Sequence, residues 1–179
     1  MKFKVTEPHI SEFPNPIKLR QGERVILGIE TVDWVGWIYC TKEDNSNAGW
    51  VPEQVIRRDA DGGTVTEDYF ADELTVAAGA ELIGIKTLNH WLLARTDDGK
   101  IGWIPLEKLT PIGTYRHSKK GTTYKIIAIA RHTETLEDLV VYQPIEGEDR
   151  PVWARPISMW NELVEHNDEM VPRFQEVNP

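Results

Sequence analysis

The chain has 179 residues, a formal net charge of -9 and seven tryptophans, and 40% of it is hydrophobic. Such an acidic chain falls outside the class of proteins whose main task is to neutralise nucleic-acid phosphates. Met1 to Pro8 carries no apolar run of signal-peptide type, no stretch has the length of a membrane span, and Cys40 is the sole cysteine. The expected setting is therefore the cytoplasm, with no internal disulfide and no membrane partner.

Residues 1–58 read as a first module, whose opening loop is kept out of helix by Pro8, Pro14 and Pro16. After the turn at Gln21-Gly22, the alternation in Glu23 to Ile29 predicts a strand, and Trp34 to Thr41 predicts a second. Lys42 to Ala48, rich in Asp, Asn and Ser, is a hairpin loop, and the chain returns as Gly49-Trp50-Val51-Pro52. Arg57 to Gly63, with its Asp-Ala-Asp-Gly-Gly run, reads as a linker.

Residues 64–110 read as a second module of the same kind. Gly79 follows Gly22 by 57 residues, and the same spacing sets Ile83 on Ile26 and Trp91 on Trp34, whereas Gly102 follows Gly49 by 53. The shortfall falls in the hairpin loop, where length is best tolerated. The turn glycine, the strand tryptophan and the Gly-Trp-aliphatic-Pro closure keep their order, which marks a duplication. Domains of about 55 to 65 residues bury only ~60% of their unfolded surface, and the tryptophans supply the missing apolar area.

Residues 112–179 form a third and different domain. Tyr124 to Ala130, Leu139 to Tyr142 and Val152 to Ala154 are strand candidates, with Trp153 expected in the core. Ser158 to Glu165 is predicted as a helix with Ser158 as its N-cap, and Val171 to Val177 as a closing edge strand. The expected class is all-β, with small β-barrels in tandem and a C-terminal small β-barrel or roll carrying one short helix.

Residues 65 to 109 resemble an SH3 domain. Asp68-Tyr69, Asp72-Glu73-Leu74, Ala78-Gly79-Ala80-Glu81-Leu82, Trp91 and Gly102-Trp103-Ile104-Pro105 match, in order, the family's opening tyrosine motif, acidic loop, diverging turn, binding-face tryptophan and closing proline. Residues 5 to 56 are a weaker copy. The resemblance implies a flat aromatic face for a peptide or protein partner, with Trp34, Pro52, Tyr69, Trp91 and Pro105 as its peptide-binding residues. Val55 and Lys108 stand where the family carries a further tyrosine. Trp50 and Trp103 read as packing residues.

From Gly113 to Val177 the chain resembles a bacterial family catalogued as domain of unknown function 1653, through Tyr115-Arg116-His117, Ala130-Arg131-His132-Thr133-Glu134-Thr135, Trp153-Ala154-Arg155-Pro156 and Pro172-Arg173-Phe174. That resemblance implies a domain boundary and no activity. Two readings of its side chains stand open. In one, the arginines pair with Glu134, Glu137, Asp138 and Asp149 and tie a small fold together. In the other, Arg116, Arg131 and Arg155 converge with His117, His132, Glu134 and Tyr142 on an anionic small molecule, and the tandem modules serve as adaptors for a ligand-binding or enzymatic domain. No nucleophile and base pair, phosphate loop, carboxylate dyad or zinc spacing stands out, so neither catalytic residues nor a metal or cofactor are expected. The leading expectation is a non-enzymatic binding or adaptor protein.

Overall fold

In the computed structural model, which describes residues 1–31 and 33–177, strand makes up 54% of those residues and helix 6%. The protein is all-β. The first copy of the repeat contributes β1 (Lys2–Val5), β2 (Lys18–Leu19), β3 (Arg24–Glu30), β4 (Trp37–Lys42), β5 (Ala48–Pro52) and β6 (Ile56–Asp59). The second contributes β7 (Gly62–Val65), β8 (Tyr69–Phe70), β9 (Glu81–Leu88), β10 (Trp91–Arg95), β11 (Ile101–Pro105) and β12 (Leu109–Ile112). The remainder forms β13 (Thr114–His117), β14 (Thr123–Arg131), β15 (Asp138–Pro144), β16 (Trp153–Pro156), α1 (Ile157–Asn161), β17 (Leu163–His166), β18 (Glu169–Pro172) and β19 (Phe174–Val177).

Two equivalent five-stranded antiparallel sheets result, ordered β5-β4-β3-β7-β6 and β11-β10-β9-β1-β12. Each sheet takes one strand from the other copy: β1 lies between β9 and β12, and β7 lies between β3 and β6. The same exchange shows in the turns. Gly79 N–H donates to the Val5 carbonyl and Gly22 N–H to the Val65 carbonyl, both at 2.8 Å, with the two glycines at φ +88° and +83°. The segments 1–58 and 64–110 are thus not the sheet units, because residues 2–5 complete the second sheet and residues 62–65 the first. Gly62 and Gly63, expected in a linker, are strand.

The sheets stay open, and no closed barrel forms among the described residues, which corrects the expectation of small barrels. The ribbon β2–β8 lays Ile17, Leu19 and Tyr69 onto the core of the first sheet, with Val25, Ile38, Cys40, Val51, Val55 and Val65. Phe3, Val5, Leu82, Leu92 and Ile104 form the core of the second.

The third unit is a five-stranded sheet, β16-β15-β14-β13-β19, with the hairpin β17–β18 beside it. Its core is aromatic: Tyr115, Tyr124, Tyr142, Trp160 and Phe174, with the Trp160 and Phe174 rings stacked at 3.8 Å. The helix ends at Asn161 rather than Glu165, starts from Pro156, and has no side-chain cap. Leu163 to His166 instead pairs with Glu169 to Pro172 across Asn167 and Asp168, whose φ values of 53° and 62° suit a two-residue hairpin turn. Of the expected closing strand, Phe174–Val177 is the sheet edge, whereas Val171 and Pro172 belong to that hairpin. Trp153, expected in the core, is 51% exposed on the edge strand β16, and Trp160 fills the core at 2%. None of the helices among the described residues is long and apolar enough to cross a membrane.

Candidate binding pocket between the first two sheets

Strands that carry apolar residues at every position must bury both faces. In β4 and β5, Ile38, Cys40 and Val51 point into the core of their own sheet, and Trp37, Tyr39 and Trp50 occupy the alternate positions. In β10 and β11, Leu92, Ala94 and Ile104 enter the second core, while Leu93 and Trp103 join the first cluster, with Trp91 packed against it. The two outer faces therefore meet.

Register defines the equivalences across that contact. Trp37 pairs with Pro52 as Trp91 pairs with Pro105, and Tyr39 pairs with Trp50 as Leu93 pairs with Trp103. The counterpart of Trp91 is therefore Trp37 and not Trp34, which corrects the alignment read from the sequence. The two equivalent indoles touch edge to face, with ring centroids 6.3 Å apart. Pro52 and Pro105 are buried and each starts a 3-10 turn, at φ -61° and -60°.

Between these faces lies a cavity of about 190 Å³. Trp34, Trp37, Trp50, Trp91 and Trp103 line it with Phe13, Tyr39, Tyr69 and Glu73, so five of the seven tryptophans share one pocket. Trp34 precedes β4, is 43% exposed, and lies near-parallel to Trp50 at 6.0 Å, with an angle of 18° between the ring planes. Tyr69 is buried, and desolvation pushes its phenol pKa up. Of the expected peptide-binding residues, Trp34, Tyr69 and Trp91 come together here, whereas Pro52 and Pro105 lie outside the lining. Phe13, Trp37, Tyr39 and Glu73 were missed in the sequence. The signal for Trp37 and Tyr39 was the run Trp37-Ile38-Tyr39-Cys40, which leaves no polar face.

Glu73 is the one ionisable group with a carboxylate in the lining. Its Oε2 sits 2.9 Å from His9 Nε2, and Lys108 Nζ lies 3.2 Å from His9 Nδ1. An ammonium can only donate, so Nδ1 accepts and Nε2 carries the proton given to Glu73. Desolvation raises the Glu73 pKa and the hydrogen bond from His9 pulls it back. His9 itself is buried, edge-on to Trp91 at 6.0 Å.

The third unit distributes its candidate residues differently. Arg116 pairs in register with Thr123 at one end of β14 and Arg131 stands at the other, roughly 26 Å away at ~3.3 Å per residue. They do not share a cleft. Arg131 lines a polar cleft of about 380 Å³ with Gln54, Asn89, Glu137 and Asp138. Arg155 lies over the Phe174 ring at 5.7 Å and its Nε–H donates to the Tyr142 hydroxyl at 3.4 Å. The carboxylate partner of Arg173 is Glu162. His117 Nδ1 accepts from the backbone N–H groups of Lys119 and Lys120, and His132 Nδ1 from those of Glu134 and Thr135. Both imidazoles thus hold turns. The ring of His117 meets Phe174 edge-on at 4.9 Å, and burial, with Arg173, Lys120 and Arg155 nearby, lowers its pKa.

Fold and site together define an all-β protein in which two strand-exchanged sheets enclose an aromatic pocket beside a third, aromatic-cored sheet. Residues 113–176, which are β13 to β19, match the family described as "Protein of unknown function (DUF1653)". No curated protein and no solved structure matches the chain.

Proposed function

We propose that this chain is a non-enzymatic binding protein of the bacterial cytoplasm, in which two SH3-like units jointly dock a peptide segment of a partner protein in the aromatic pocket between them. The observation that carries this reading is the pocket itself. Five indoles and two phenols from both units converge on one opening, with Trp34 partly exposed on its lining. Tryptophan and tyrosine offer large rigid contact areas at small entropic cost, which makes such clusters effective anchors for a partner. The third unit serves as a rigid attachment: Lys2 N–H donates to the Tyr115 hydroxyl at 3.0 Å, and His90 Nδ1 lies 2.8 Å from Asp138 Oδ1. The anion reading of that unit draws less support, since Arg116 and Arg131 stand at opposite ends of β14.

Panning a random peptide display library against the full chain tests the reading. Selected peptides should quench tryptophan fluorescence, and Trp34→Ala should weaken them by about tenfold or more, as loss of an aromatic anchor does. Trp153→Ala should leave them unchanged. Peptides that bind Trp34→Ala as tightly as the parent protein would contradict it.

A further inference from the structure

We propose that the pocket receives a trimethylammonium head, carried on a lysine side chain of the docked segment. The inference rests on the peptide-docking reading and names its chemistry.

Aromatic rings and a desolvated carboxylate line the same pocket. Ring faces are electron-rich and attract a cation placed over them, and the attraction grows as water is excluded. The indoles of Trp34, Trp37 and Trp91 stand at steep angles to one another, 79° between Trp34 and Trp37 and 74° between Trp37 and Trp91. The lining is therefore a set of rings inclined to one another rather than a single flat platform.

Glu73 decides between a neutral and a charged occupant. Its side chain is 13% exposed, and burial disfavours its charge. A proline ring or other neutral group closing the pocket would strip it of its remaining water without return, whereas a cation would offset the loss. Among the described residues only Oε2 of this carboxylate is engaged, by His9, and Glu73 is one of the lining residues.

The type of cation follows from donor counting. An unmodified ammonium brings three N–H donors and a guanidinium five, and buried donors need acceptors. Beside the Glu73 carboxylate, the acceptors among the lining side chains are the Asn15 amide oxygen and the Tyr39 and Tyr69 hydroxyls, set among five indoles, so a head rich in donors would bury N–H groups largely against ring carbon. A trimethylammonium head carries the charge with no donor at all, and its methyl surface suits aromatic walls. The net charge of -9 favours approach of a cationic segment.

The test titrates the full chain, at matched ionic strength, with Nα-acetyl-trimethyllysine methylamide, its unmethylated counterpart, choline, and 3,3-dimethylbutan-1-ol, the neutral carbon isostere of choline. Tryptophan fluorescence is the readout. The trimethyllysine probe should bind about tenfold tighter than the unmethylated one, and choline about tenfold tighter than its isostere. Glu73→Gln should erase the second difference while the neutral isostere still binds. Trp34→Leu, which keeps apolar bulk at an exposed position, should do the same in part and guards against misfolding of the first variant. Equal binding of choline and its isostere would overturn the cation, yet leave display-selected peptides bound and the docking reading intact. Binding of choline without the trimethyllysine probe would overturn the side-chain source.

Discussion

The ring of Phe3 lies against Gly84, with its Cε2 2.8 Å from the point a Cβ on that glycine would occupy. The first sheet inverts the sizes. Gly63 holds the register position of Phe3, Leu27 that of Gly84, and a Cβ on Gly63 would stand 2.9 Å from Leu27 Cδ2 and 2.8 Å from Ile56 Cγ2. Each opening strand therefore fits the other copy's sheet and not its own, where β1 would overfill the first sheet and β7 would leave a hole in the second.

Overpacking gives the first prediction. Gly84→Ala should cost about 1–3 kcal/mol in urea melts, and Phe3→Leu should recover part of that loss in the double variant. Strict additivity of the two substitutions would mean that the ring and the glycine do not constrain each other.

In the third unit, Trp160→Ala should cost about 3–5 kcal/mol, because the indole is buried against Phe174, Tyr115 and Tyr142. Trp153→Ala, at an exposed edge position, should change stability by less than about 1 kcal/mol. Reversal of this order in melts followed by far-ultraviolet dichroism would contradict the assignment of the core.

Strand content, the duplication and the aromatic demand of small sheets were legible in the sequence, because alternation and turn glycines are local. The exchange was not, since it depends on pairings some 80 to 110 residues apart, such as Phe3 with Leu82 and Pro111. One trace of it was present: Val5-Thr6-Glu7-Pro8-His9 and Val65-Thr66-Glu67-Asp68-Tyr69 are copies of one opening segment. Aligning tryptophans by a fixed offset chose Trp34 over Trp37, and only the register against Pro52 separates them. Helical spacing in Ser158 to Glu165 was likewise overridden by the turn at Asn167 and Asp168.

Cys40 is fully buried, and desolvation pushes its pKa up to about 11. A raised acid contributes stability that is intact below the ordinary value of 9.0 and is lost as pH rises toward the folded value. At pH 8 an aromatic disulfide reagent should leave the native thiol untouched and label it at once in urea. Fast labelling of the native chain would contradict the burial.

His117 titrates in the opposite region. Burial holds its pKa below the ordinary 6.5, so the unfolded chain takes up a proton first as pH falls. Stability is full above about 6.5 and declines below it, by at most ~1.4 kcal/mol per pH unit for one proton. His117→Gln should flatten that decline between pH 7 and 5. An unchanged slope would place the acid sensitivity elsewhere.

The most direct measurement follows the indole N–H resonances of the 15N-labelled chain during titration with a display-selected peptide. Trp34, Trp37, Trp50, Trp91 and Trp103 should respond together with one dissociation constant, while Trp153 and Trp160 stay in place. Shifts confined to Trp153, or to the tryptophans of only one of the first two sheets, would contradict a pocket shared between them.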